Sequence, residues 1–142
     1  MLKGEVAEMV KSATNLSDEM LSNLHPGLEK LFENVPKITQ YRIVAEVVKS
    51  ERCFAEVKEG DKLVFDPNLN PDKSTGVMCP RALLPVTVQV NALFEMNAEW
   101  ANSGKEEIPE IVFRNVRCLD PGFEDGGLGG VVYRIRLEKM GA

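Results

Sequence analysis

The sequence has no apolar run approaching the roughly 20 residues that cross a bilayer. A membrane-spanning helix is thereby excluded. Its first segment, MLKGEVAEMVKSATNL, mixes charged and apolar residues and contains no hydrophobic signal region, so a cytoplasmic location is expected. Cations are in deficit, with 17 Lys and Arg against 22 Asp and Glu and a net charge of −5. A nucleic-acid surface needs clustered Lys and Arg for phosphate contacts, so nucleic acid is not an expected partner. There is one histidine, His25, and no Ser-His-Asp order, which leaves no recognisable catalytic triad. His25 is expected at a helix boundary. The glycines of DGGLGG (125–130) lack the G-x-G-x-x-G spacing and a following helix, so they do not indicate a phosphate loop. They are expected to form a mobile loop, and a lid if a cleft lies beside it. No C-x-x-C pair occurs. Three widely spaced cysteines, an odd number, do not read as a secreted disulfide framework. Internal repeats and low-complexity tracts are also lacking.

What remains is the composition of an ordinary globular domain: 142 residues, 44% apolar and 27% charged. Val6, Met9 and Val10 predict a short amphipathic helix over 3–12. Ser17 reads as the N-cap of a second helix, with Asp18 and Glu19 in its first turn. Leu21, Leu24, Leu28, Leu31 and Phe32 continue one face, with a break expected near His25 because Pro26 removes a donor. Pro36 is expected to end the helical region. From Tyr41 to Val48 the pattern becomes that of a strand, and Gly60-Asp61 turns into a second short strand. PRALLPVTVQVNALFEMNAEWANSG (80–104) has the length and composition of a helix of about five turns. Its alternating Val86, Val88 and Val90 make a strand the competing assignment. Residues 111–118 and 131–139 read as two further strands. The order of elements predicts an α+β fold: a small, mainly antiparallel sheet with one long helix packed on it and an N-terminal helical extension. The expected division is 1–38 for the extension and 39–142 for the core domain.

The chemistry resides in Cys53, Cys79 and Cys118. With Pro80 at the first helical position, where its missing N–H is harmless, Cys79 becomes the N-cap. A thiolate there would face open amide donors and the positive end of the helix dipole, an arrangement that makes a reactive or metal-binding sulfur feasible. Cys53 follows the first strand and Cys118 ends the third, so all three stand at element ends, where separate segments meet. Three readings stay open. Each cysteine is a small buried hydrophobe; or all three share a site; or Cys79 alone is a reactive thiol. A shared metal site over Cys53, Cys79 and Cys118 would hold zinc or an iron–sulfur centre. A closed zinc site needs a fourth donor, from Asp120, His25, water or a partner's residue.

Residues 41–139 resemble a family of short, conserved, uncharacterised prokaryotic proteins. The resemblance is carried by Cys53 with Lys58-Glu59-Gly60-Asp61, by Gly76-Val77-Met78-Cys79-Pro80-Arg81-Ala82, by Cys118-Leu119-Asp120-Pro121, and by the closing strand Val131-Val132-Tyr133-Arg134-Ile135-Arg136. This chain departs from it in having Phe54-Ala55 in place of Pro then Gly, and Leu119 where Pro is usual. The family implies no established reaction.

Two functional expectations follow. The first is a non-catalytic accessory subunit that binds a larger, metabolic enzyme. In it the apolar stripe Leu2, Val6, Met9 and Val10 of the N-terminal helices docks on a protein partner or another copy, unless it covers the chain's own sheet. The alternative is a small metal- or thiol-dependent enzyme using Cys79, with Cys53 and Cys118 as co-ligands or resolving thiols. A small-ligand module with its pocket between sheet and long helix ranks third.

Overall fold

Ser17 does what a helix N-cap requires: its hydroxyl accepts a hydrogen bond from the Met20 amide at 3.2 Å, opening α2 (Asp18–Ser22) after α1 (Gly4–Thr14). His25 caps α3 (Pro26–Glu33), its Nδ1 accepting from the Gly27 amide at 3.0 Å, with Pro26 in the first turn. The sole histidine is thus a capping residue. Pro36 does not end the helical region as expected. It lies in the short helix α4 (Val35–Ile38), inside a first turn where a missing N–H leaves no bond unmade.

The structure, a computed structural model, describes residues 1–141, and the backbone alone for 111–114. Ala142 lies outside the described residues. The chain forms two compact units, Met1–Ile38 with Asn97–Ile108, and Thr39–Met96 with Pro109–Ala142. In the first unit, Leu2, Ala7, Val10 and Leu21 form a buried apolar cluster, with Val6, Leu16, Leu24 and Phe32 packed on it. The N-terminal stripe is therefore covered within its own unit, apart from Met9, which is exposed.

The second unit holds a four-stranded antiparallel sheet in the order β2-β1-β4-β3, built from β1 (Tyr41–Glu51), β2 (Lys62–Phe65), β3 (Ile111–Arg117) and β4 (Gly130–Lys139). The central pair β1/β4 joins segments far apart in sequence, in the register Ile43↔Leu137, Ala45↔Ile135 and Val47↔Tyr133. These rows, with Leu63, Phe65 and Val131, supply the buried apolar face. The helix α5 (Pro80–Asn102) packs on the sheet, and the α+β architecture is the expected one. Ala82, Val86, Val90 and Leu93 are all buried and recur at helical spacing, so period 3.6 prevails over the valine alternation. Burying each of these larger aliphatic side chains contributes roughly 1.5–3 kcal/mol, against a few tenths for the strand preference of an isolated valine. Pro85 lies inside the first turns of α5, and Gly104 follows its end with φ +78°.

Candidate thiol site

The Cys79 carbonyl accepts the Ala82 and Leu83 amides at 3.0 and 2.9 Å, which makes Cys79 the residue that opens α5, with Pro80 next. Two carboxylates hold the segments that bring the other cysteines to it. Asp61 Oδ2 accepts the Lys58 amide at 2.9 Å and closes the turn between β1 and β2. Gly76 rests against this carboxylate with φ +77°, and a Cβ there would overlap Asp61. A glycine is therefore required three residues before Cys79 for both conformation and space. The chain leading to α5 is also tied to the edge of β2, where the Thr75 amide donates to the Lys62 carbonyl at 2.8 Å.

On the other side, the Leu119 amide donates to the Arg81 carbonyl at 3.0 Å, coupling the segment after β3 to the start of α5. Cys118 extends the β3/β4 pairing: its amide donates to the Val131 carbonyl at 3.0 Å and its Sγ accepts the Val131 amide at 3.4 Å. Asp120 Oδ1 accepts the Gly122 and Leu128 amides at 2.9 and 3.1 Å, and Oδ2 accepts Gly129 at 3.4 Å. Those amides, Gly122 foremost, hold the Asp120 carboxyl below the usual carboxylate range against the opposing effect of burial, with help from the Arg81 charge. The glycine loop expected to be a lid is thus clamped by Asp120. Gly129 also sits against the Glu51 carbonyl, where a Cβ would overlap backbone.

These ties place Cys53, Cys79 and Cys118 on the wall of one cavity of about 150 Å³, together with Ala55, Val57, Ala82 and Val131. Arg81 and Asp120 supply its charged edge, and Phe54 stands at it with 90% of its surface exposed. All three cysteines are free thiols and partly buried. Tyr133 lies one row further into the core at 1% exposure. Its phenol is pushed up to about 12, first by burial and then by negative charge at Cys79, Cys118, Cys53 and Asp61.

Among the described residues, no group of three or more His, Cys, Asp or Glu is placed to hold a metal ion. Of the fourth-donor candidates, His25 uses its Nδ1 to cap α3, and Asp120 is engaged by loop amides. The structure brings the cysteines to one cavity without assembling a coordination shell.

Sequence reasoning placed Tyr133 in the closing strand without connecting it to the site, and missed the reverse side of the strand ends. Arg52 and Arg117, each immediately before a site cysteine, line a separate cavity of about 550 Å³ with Phe123, Glu124 and Asp125. Strand alternation was the available signal: Arg117 pairs with Val132 and Cys118 with Val131, so their side chains leave opposite faces. Among known proteins, no family model, no curated protein and no solved structure matches this chain.

Proposed function

We propose that the protein is a thiol-dependent small-ligand protein in which Cys79 is the reacting sulfur and Cys53 and Cys118 are its partners in one cavity. The observation that carries this reading is the meeting of three sequence-distant free thiols on the wall of a single small cavity. Scattered structural cysteines have no reason to converge, and they are ordinarily packed out of reach. Here each one is partly accessible. The site also combines a sulfur at a helix start with a nearby arginine, the surroundings in which cysteine is used as a nucleophile. Thiol chemistry is preferred to a metal centre because the donors do not form a coordination group.

The test is alkylation of the native protein by iodoacetamide, with the modified cysteine located by mass spectrometry. Cys79 is expected to react first and faster than glutathione under the same conditions. Its modification is expected to slow the labelling of Cys53 and Cys118, because the three share one space. Three independent rates, all below that of glutathione, would remove the proposal.

An accessory-subunit role through the N-terminal helices is the second reading. Met9, Met20 and Leu28 favour it, since they are large apolar side chains left exposed on the first unit. Leu2, Ala7, Val10 and Leu21 speak less for it, because the unit's own core uses them. Light scattering on the protein purified from its native source separates the two: a lone monomer with a fast Cys79 leaves the thiol reading standing alone.

A further inference from the structure

Resting on the thiol reading above, we infer that the ligand of the three-cysteine cavity is a small, uncharged electrophile of the conjugated-carbonyl class. Size is the first argument. A cavity of about 150 Å³ is the volume that holds one benzene-sized guest in other proteins, about six non-hydrogen atoms. Polarity is the second. Ala55, Val57, Ala82 and Val131 line the interior, and the only charged residues on the wall are Arg81 and Asp120. The Asp120 carboxylate is already occupied by the Gly122, Leu128 and Gly129 amides. Arg81 is exposed at the edge and is the one cationic side chain of the wall. A guest with an apolar body and one polar oxygen directed at Arg81 matches this distribution. A guest with a charge anywhere but at the oxygen facing Arg81 would have to leave that charge among aliphatic groups, which is costly.

Conjugate addition is the reaction that uses the Cys79 sulfur and the Arg81 cation together. The Cys79 sulfur contributes an electron pair to a new C–S bond at the β-carbon of the conjugated carbonyl. The carbon–carbon π pair moves toward oxygen, giving an enolate beside the Arg81 guanidinium. The proton released by the thiol then goes to the α-carbon. The net change is addition of S–H across the double bond, with no other product and no external oxidant or reductant. Loss of the α-proton and cleavage of the C–S bond reverse it, so the adduct can be released.

The experiment compares methyl vinyl ketone, which fits the cavity, with chalcone, which is too large, and with iodoacetamide as a neutral probe of the thiol itself. Each rate at Cys79 is divided by the rate with glutathione. The expected result is a normalised rate for methyl vinyl ketone about tenfold above that for chalcone, the effect of roughly two buried methylene equivalents. Equal normalised rates for the two enones, with iodoacetamide still faster than on glutathione, overturn the ligand assignment and leave the thiol reading intact. Rates at or below those of glutathione for all three probes overturn both.

Discussion

The two faces of the four-stranded sheet are held by different physics, and each ends in a different cavity. On the face toward α5, Ile43, Ala45, Val47, Tyr133, Ile135 and Leu137 are almost wholly removed from water. On the reverse face, charges run across three strands. Lys62 meets Glu46 at 4.0 Å, Glu46 meets Arg136 at 2.8 Å, Arg136 meets Glu138 at 2.9 Å, and Arg42 meets Glu138 at 2.6 Å. Alternation carries this difference to the strand ends. There the sulfur of Cys118 continues the apolar face into the thiol cavity, while Arg117 continues the charged face into the arginine cavity. Val44 and Val64 are buried among these charges, a smaller apolar patch than the six-residue face toward α5, so the contrast assigns most of the stability to that face. Apolar burial is not screened by salt, whereas partly exposed ion pairs contribute little and are screened.

The largest effect belongs to the apolar face. Ile135→Ala removes a fully buried side chain next to Ala45 and is expected to cost about 2–5 kcal/mol. The loss, read from urea denaturation, should be the same in low and high salt. A salt-dependent loss would mean that the two faces are not separable. Next in size is a pH effect at Tyr133. Its folded value of about 12 lies above the ordinary tyrosine value of 10.0. The neutral phenol therefore contributes fully below the unfolded value, and that contribution is lost as pH rises from 10 to 12. The expected fall is about 2–3 kcal/mol over this window. Tyr133→Phe removes the titrating group and should flatten this part of the alkaline limb. An unchanged slope in the variant would place the source elsewhere.

Much of the sheet and of α5 was legible because period-2 and period-3.6 apolar patterns are local signals. Ser17 and Cys79 were legible as helix starts for the same reason, since capping depends on a few adjacent residues. The site was half legible. That Cys53, Cys79 and Cys118 stand at element ends follows from the pattern. That they line one cavity depends on strand order, and the β1/β4 pairing joins residues far apart in sequence. The roles of Asp61 and Asp120 were hidden too. Asp120 reads as a candidate ligand and Asp61 only as a turn residue, but both carboxylates accept loop amides and position the segments that carry the thiols. Pro36 was misjudged because a proline ends one helix and begins another with equal ease.

The third effect tests how the charged and apolar faces are joined at their common end. Gly129→Ala would drive a Cβ into the Glu51 carbonyl, a backbone atom that cannot swing away. The expected cost is about 1–3 kcal/mol by urea denaturation. Iodoacetamide labelling of Cys118 should also quicken, because the displaced loop opens the wall beside it. Loss of stability with unchanged labelling would mean that the loop does not shape the thiol cavity.

The smallest effect is expected on the charged face. Burial alone would raise the Glu138 carboxyl, but hydrogen bonds from Arg136 and Arg42 outweigh it and hold the group below the usual carboxylate range. A lowered folded value means that the contribution is present above the ordinary carboxylate range and is lost as pH falls through the folded value. Glu138→Gln should therefore cost about 1 kcal/mol near neutral pH, where the carboxylate is charged. The difference from the unaltered protein should shrink in acid and in high salt. A cost at neutral pH as large as that of Ile135→Ala would reverse the ranking of the two faces, because the ion pairs would then hold the sheet as firmly as its core. A cost that ignores both acid and salt would show that Glu138 acts through packing, and the reverse face would then be a second apolar surface carrying charged tips.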